Sequence, residues 1–271
     1  MNQLPARDGR LIGYEFFAPE SPRGCVLIAA AMAVPARFYS RYAEYLSTTG
    51  LAALAVDYRG IGSSKSGSIK DDPATFHDWG EQDLGGAVDF LLKRYPGLPL
   101  HWIGHSAGGQ LMGLLPDAPI ASALFIASGS AYWRAYRGRP RAIIGALFHG
   151  VLPAMVAING YLPMRRFRQG EDVPKGVARE WAEWGRHPRY VRKYADKQGG
   201  LGFDRYTGPL RAVAFSDDSY APKEAVQKLL ELYPNARKEL ILHQGPAGHF
   251  GFFKQASMWR EPTFSVAPET K

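Results

Sequence analysis

The sequence predicts an α/β fold: a mainly parallel central sheet with helices on both faces and an inserted helical cap. Three observations predict it. From Cys25 to Ala127, apolar runs of strand length alternate with stretches of helical period. The alternation stops at Ser128 and resumes at Leu210. The stretch between them is rich in Arg, Trp and Tyr and shows no clear strand. The expected division is therefore a core of residues 1–129 and 206–271, with residues 130–205 inserted as a cap over the carboxyl ends of the strands, where ligands bind in open α/β sheets.

Each element has its own reason. Residues 11–18 read as an opening strand and residues 19–24 as a turn. Residues 25–30 are continuously apolar, as in a strand buried on both faces. An irregular segment, 31–35, precedes a helix over 36–49. That helix puts Phe38, Tyr42, Tyr45 and Leu46 on one face, and Gly50 fits its stop. Residues 51–56 form the next buried strand. A second helix over 75–94 has Phe76, Trp79, Leu84, Val88 and Leu91 as its inner stripe. A strand over 98–103, a helix start over 108–115 and a strand over 120–127 follow. Beyond the insertion come a strand at 210–215, a helix at 222–232 and a strand at 239–242.

A chain of 271 residues fits one domain of moderate size, or one with an inserted unit. Its single cysteine, Cys25, excludes an intrachain disulfide and reads as a small buried hydrophobe. The N-terminal residues are polar, without the apolar run of a signal peptide, and a cytoplasmic location is expected. Residues 142–164 carry no Asp, Glu, Lys or Arg and are long enough to span a bilayer. His149, Pro153, Asn159 and three glycines interrupt them, so a buried or lid segment is expected rather than stable membrane insertion. The net charge of +8 is local. Residues 130–205 hold fifteen Lys/Arg against six Asp/Glu, a balance of +9, which leaves −1 for the rest. Arginines interleaved with Trp133, Tyr136, Trp181, Trp184 and Tyr190 could stack nucleic-acid bases. A solvated cap face with aromatics beneath it explains the same pattern better, and no nucleic-acid partner is expected.

The chemistry centres on Gly104-His105-Ser106-Ala107-Gly108, at the end of an apolar run and the start of a helix. A serine on a sharp strand-to-helix turn sits in strained geometry with its hydroxyl outward. Side chains two residues before and after would collide across the turn, so both are glycine. A serine hydroxyl needs an imidazole to take its proton and an acid to orient that imidazole. Asp217 and Asp218 follow a predicted strand, and Asp218 is the preferred acid. His249, in the glycine-rich loop after the last strand, is the preferred base, with His243 the alternative. His105 adjoins the serine but is expected to point elsewhere. His101 lies within a strand, and His77, His149 and His187 read as packing or surface groups. Backbone N–H groups of Ala107 and of Met32 are the expected oxyanion donors, with Ala33 the alternative to Met32. Asp57 and Arg59 read as a charged turn rather than catalytic groups. No metal-ligand spacing is present, so neither a metal nor another cofactor is expected.

These motifs resemble the α/β-hydrolase superfamily. The carrying residues are the Gly104–Gly108 elbow, the Asp57-Tyr58-Arg59-Gly60-Ile61-Gly62-Ser63-Ser64 turn, the segment from Asp218 to Pro222, and Gly248-His249-Phe250-Gly251. Within it the chain is similar to the serine-aminopeptidase-like, lysophospholipase-like branch. It departs from many relatives after the strand at 25–30, where they carry His-Gly and this chain has Ala30-Ala31-Met32-Ala33. The resemblance implies the triad Ser106, Asp218 and His249, and cleavage of a small-molecule carboxylic ester through an acyl-enzyme. Amide or thioester hydrolysis, acyl transfer, or a non-catalytic binder on the same fold are the alternatives. Residues 130–205 are expected to form a lid of short helices broken near Pro153. Phe148, Leu152 and Met155 are expected to line the pocket for a hydrophobic acyl or ring portion.

Overall fold

The computed structural model describes residues 2–261. Its strands in chain order are β1 (Gln3–Pro5), β2 (Leu11–Phe17), β3 (Gly24–Ala29), β4 (Leu51–Val56), β5 (Leu100–His105), β6 (Ile120–Ile126), β7 (Tyr161–Leu162), β8 (Val173–Pro174), β9 (Pro209–Phe215) and β10 (Arg237–His243). Eight of them form one sheet in the order β1-β2-β4-β3-β5-β6-β9-β10. The β1–β2 and β2–β4 pairs are antiparallel and the other pairs parallel. Every residue of β3, β4 and β5 is buried, as their unbroken apolar runs require. The polar N-terminal strand β1 escaped the sequence reading, because three residues at a sheet edge carry no periodic signal.

The helices are α1 (Ser40–Thr48), α2 (Phe76–Asp78), α3 (Gly85–Arg94), α4 (Ala107–Leu111), α5 (Gly138–Ala146), α6 (Leu152–Asn159), α7 (Lys175–Arg186), α8 (Arg192–Lys197), α9 (Lys223–Leu230) and α10 (Gly251–Lys254). Thr75 opens α2 with a reciprocal capping box to Asp78. A wide π-turn, Trp79–Leu84, joins α2 to α3 into the single helical run expected over 75–94.

Between β6 and β9 the chain is helical, with one addition the sequence hid: β7 and β8 pair as a two-stranded ribbon. The expected break near Pro153 is corrected as well. Residues 138–159 form one continuous helical run of 22 residues. Its π-turn, Leu147–Val151, directly precedes α6 with its Pro153, and the Arg186 guanidinium donates to the Phe148 carbonyl at 2.7 Å, so the run continues through the proline. Phe148, Leu152 and Val156 are the buried face of this run. Phe148 packs edge-on to Trp181, 4.8 Å between ring centroids, above the bare backbone of Gly185. The opposite face is open to solvent, with Ile143 57 %, Val151 49 % and Ile158 83 % exposed. The run is long and apolar enough to cross a membrane by length and composition, yet it lies along the molecule on its buried stripe.

Candidate active site

The turn after β5 is as tight as its glycines imply. Ser106 has φ 51° and ψ −113°, a left-handed setting that costs an L-residue on the order of 1–3 kcal/mol and persists only where the surroundings hold it. A Cβ on Gly104 would lie 2.5 Å from the Gly109 Cα, and one on Gly108 would lie 2.0 Å from the Ala29 carbonyl oxygen. The surroundings do hold the turn. Ser106 donates its N–H to the Ile126 carbonyl at 3.1 Å, and the Ser128 hydroxyl lies 2.8 Å from the Ser106 carbonyl. The helix start α4 leaves the Ala107 N–H beside Ser106.

Asp218 and His249 meet beside this turn. His249 Nδ1 lies 2.8 Å from Asp218 Oδ2. The other carboxylate oxygen of Asp218 accepts N–H groups from Tyr220 at 2.8 Å and Ala221 at 3.1 Å. With its carboxylate fully buried, Asp218 is fixed by three donors. Asp217 is exposed and does a different job: it accepts the Gly248 N–H at 2.8 Å, pinning the loop that carries His249. The Ser106 hydroxyl makes no hydrogen bond among the described residues. Such contacts are often long in an empty site and tighten around substrate. His243, the alternative base, ends β10 against Phe215, 5.6 Å between ring centroids.

His105, expected to point away from the serine, does so, and its ring makes contacts that the sequence did not foretell. Its ring is fully buried between two loops of the site. The Ala31 N–H donates to the Tyr39 hydroxyl at 2.8 Å. Tyr39 therefore turns its own hydrogen to His105 Nδ1, also at 2.8 Å. Nε2 then carries the ring hydrogen and donates to the His249 carbonyl at 2.9 Å. Burial, with His249 close by, holds the His105 pKa well below the ordinary histidine value, so the ring is neutral.

The segment after β3 is held from both sides. Ala33 has φ 63° without being glycine. The Met32 N–H meets no acceptor among the described residues. Asp57 accepts the Ala36 N–H at 2.7 Å and both the N–H and hydroxyl of Ser63, so it is the structural turn that the sequence suggested. Arg59 lies buried between Asp8 and Asp83. On the other side, the Glu171 N–H donates to the Ala33 carbonyl at 2.8 Å. Burial opposes charge on the Glu171 carboxylate, but Lys65, the Gly62 N–H and Arg165 outweigh it and hold its pKa below the usual carboxylate value. Sequence reasoning missed Glu171, since an acidic pair after a run of arginines gives no sign of what either acid will touch.

The helical stretch between β6 and β9 reaches the site at several points. The Tyr136 hydroxyl donates to the Tyr220 carbonyl at 2.7 Å, and the Tyr220 hydroxyl to Gln169 at 2.9 Å. Tyr190 donates to Gln110 of α4 at 2.6 Å, and Gln110 in turn to the Gly129 carbonyl. Of the residues expected to line a pocket, Phe148 and Leu152 are fully buried, and Met155 is part-buried. Cys25 is buried, and burial pushes its thiol up to about 11, so it stays protonated and inert.

Known proteins match this architecture over nearly its whole length. The fold is similar to a soluble variant of monoglyceride lipase from Saccharomyces cerevisiae, with a TM-score of 0.65 at 17% identity over 98% of this chain and 97% of the other. It is also similar to Est1E from Butyrivibrio proteoclasticus, solved with ferulic acid bound, with a TM-score of 0.61 at 18% identity over 92% and 91% of the two chains. In sequence, 107 residues are 31% identical to a monoacylglycerol lipase of Mycolicibacterium smegmatis, covering 38% of this chain. The match spans about a third (36%) of that relative's length. The model of the serine aminopeptidase S33 hydrolases matches residues 20–245, most of the chain including the elbow and the Asp218 loop, and the protein belongs to that family of α/β-hydrolases.

Proposed function

We propose that the protein is a serine hydrolase of carboxylic esters, with Ser106 as nucleophile, His249 as general base and Asp218 as the acid that orients it. The observation that carries this reading is the buried 2.8 Å contact between Asp218 and His249 Nδ1, beside a serine held at positive φ. The His249 imidazole, with Nδ1 tied to Asp218, has Nε2 available to take the Ser106 proton as the hydroxyl attacks the ester carbonyl. The N–H groups of Met32 and Ala107 receive the oxyanion. The imidazolium returns the proton to the leaving alcohol, and water then releases the acyl group by the same route.

Residues 130–205 act as the cap in this reading, and the acyl portion of the substrate is hydrophobic. The apolar run 138–159 and the lipase activity named for two of the relatives support it. Met155 keeps surface to offer a substrate, while Phe148 and Leu152 form the packed wall behind it. From residue 118 to residue 170 the chain has no Asp or Glu and seven arginines, all exposed, grouped at the two ends of the helical run. This favours an ester presented at an anionic lipid surface, with the run lying in the interface rather than across the bilayer. Hydrolysis of p-nitrophenyl esters of graded acyl length, wild type beside Ser106→Ala, tests the proposal. Each buried methylene contributes about 0.8 kcal/mol, so kcat/KM is expected to rise about fourfold per carbon until the pocket fills. A flat profile from acetate to octanoate rejects the hydrophobic acyl site.

A further inference from the structure

We infer that Glu171 is a positioning residue for acyl transfer: it holds the loop at Ala33 in the conformation that presents the Met32 N–H. The inference rests on the reading of Met32 as an oxyanion donor.

Three observations converge on it. First, Ala33 is fully buried at φ 63°, a setting that a residue with a Cβ takes only when its neighbours impose it. Second, the turn closed by the Val34 N–H on the Ala31 carbonyl at 3.2 Å sets this conformation, and the 170–171 backbone holds it from outside. The Glu171 N–H binds the Ala33 carbonyl at 2.8 Å, and Gly170, itself at φ 114°, comes so near that a Cβ there would lie 2.5 Å from the same oxygen. Third, the Glu171 side chain fixes that backbone to the core. Its carboxylate is nearly buried and receives the Gly62 N–H at 2.8 Å and the Lys65 ammonium. Arg37 at 3.3 Å and Arg165 at 3.5 Å complete the set. Both arginines are more than half exposed, so water screens them and they add little. The strong anchors are Gly62 and Lys65, both in the turn that follows Asp57. Asp57 holds the far end of the same loop through the Ala36 N–H. The loop is thus clamped between two carboxylates, one from the core and one from the insertion. In this chain the clamp takes the place of a glycine at the strained position.

A residue that only pinned the insertion in place would affect stability and substrate binding. A residue that positions an oxyanion donor affects the chemical step. Removing one such donor typically lowers kcat by 10²–10³-fold, so loosening one is expected to cost roughly 10–100-fold. The experiment measures kcat and KM on one p-nitrophenyl ester, together with the rate of inactivation by a fluorophosphonate, for Glu171→Ala, Glu171→Gln, Gly170→Ala and Glu171→Ala combined with Ala33→Gly. The expected result is a fall in kcat and in inactivation rate for Glu171→Ala, with KM within about twofold. Glu171→Gln, which still accepts the Gly62 N–H, falls less. Gly170→Ala falls with the Glu171 ion pairs intact. Ala33→Gly recovers part of the loss, because glycine takes positive φ without strain. A lowered melting temperature with unchanged kcat, a rise in KM alone, or no rescue by Ala33→Gly overturns the inference. Should Glu171→Ala fail to fold, Glu171→Gln and Gly170→Ala decide. Failure of the wild type to be labelled at Ser106 refutes the underlying reading of the site instead.

Discussion

His105 Nε2 donates to the backbone carbonyl of His249 at 2.9 Å, so the residue preceding Ser106 holds the loop that carries His249. With Tyr39 and the Ala31 N–H behind it, one line of hydrogen bonds joins the segment after β3 to the His249 loop beneath the elbow. Replacing His105 by Phe keeps bulk but leaves the Tyr39 hydroxyl without an acceptor for its hydrogen and the His249 carbonyl without its donor. Each buried group orphaned in this way costs about 1–3 kcal/mol. The expected outcome is a melting temperature lower by several degrees and a kcat lower by about tenfold. Calorimetry and steady-state kinetics measure the two, and an unchanged kcat removes His105 from the positioning role.

The two adjacent carboxylates make opposite predictions. Asp218 touches the imidazole, whereas Asp217 accepts the Gly248 N–H. Asp218→Asn is expected to lower kcat by roughly 10⁴-fold, because an amide favours the wrong tautomer of the base. Asp217→Asn keeps an acceptor for Gly248 and is expected to cost less than tenfold. A larger loss for Asp217→Asn reverses the assignment.

Stability should depend on pH through His77. Its imidazole lies 2.9 Å from Glu180 of α7 and ties α2 to the helical insertion, with Asp78, Glu81 and Tyr194 around it. Burial opposes the charged ring, but Glu180, Asp78 and Glu81 prevail and raise its pKa above 6.5. A raised pKa stabilises the fold fully below the unfolded value, and the contribution is lost as pH rises through the folded value. The difference in melting temperature between wild type and His77→Gln is therefore expected to be largest below pH 6.5 and to shrink as the pH rises above it. A difference that grows with pH contradicts the ion pair.

Much of this was legible in the chain itself. Continuous apolar runs such as residues 25–30 and 51–56 admit few settings other than a buried parallel strand, and the elbow glycines name their own turn. The Asp218 and His249 loops could be read because each follows a strand in the order that the motif demands. The contacts of His105 and Glu171 could not. Both depend on which distant loop lies opposite: residue 249 for one, residues 33 and 62 for the other. The helix over 138–159 misled through Pro153, since proline breaks most helix interiors but is tolerated here, after a π-turn whose Phe148 carbonyl is bound by Arg186.

The exposed face of that helix predicts binding to anionic bilayers. Cosedimentation with vesicles containing phosphatidylglycerol is expected to exceed that with phosphatidylcholine alone and to fall with added salt. Ile143→Asp with Ile158→Asp should abolish binding and leave hydrolysis of a short soluble ester unchanged. Binding that ignores lipid charge, salt and both substitutions rejects the interfacial role.

Gly108→Ala tests the closeness of the elbow. The added methyl would meet the Ala29 carbonyl oxygen at 2.0 Å, far inside contact distance, so β3 and α4 must separate. Soluble yield and melting temperature are expected to fall sharply, and wild-type stability contradicts the packing described.

The central claim is that Ser106 is the nucleophile. Intact-mass measurement after incubation with a fluorophosphonate tests it most directly. One adduct is expected on the wild type, mapped to the peptide containing Ser106, and none on a folded Ser106→Ala protein. Equal labelling of both proteins, or an adduct mapped to another serine, contradicts it.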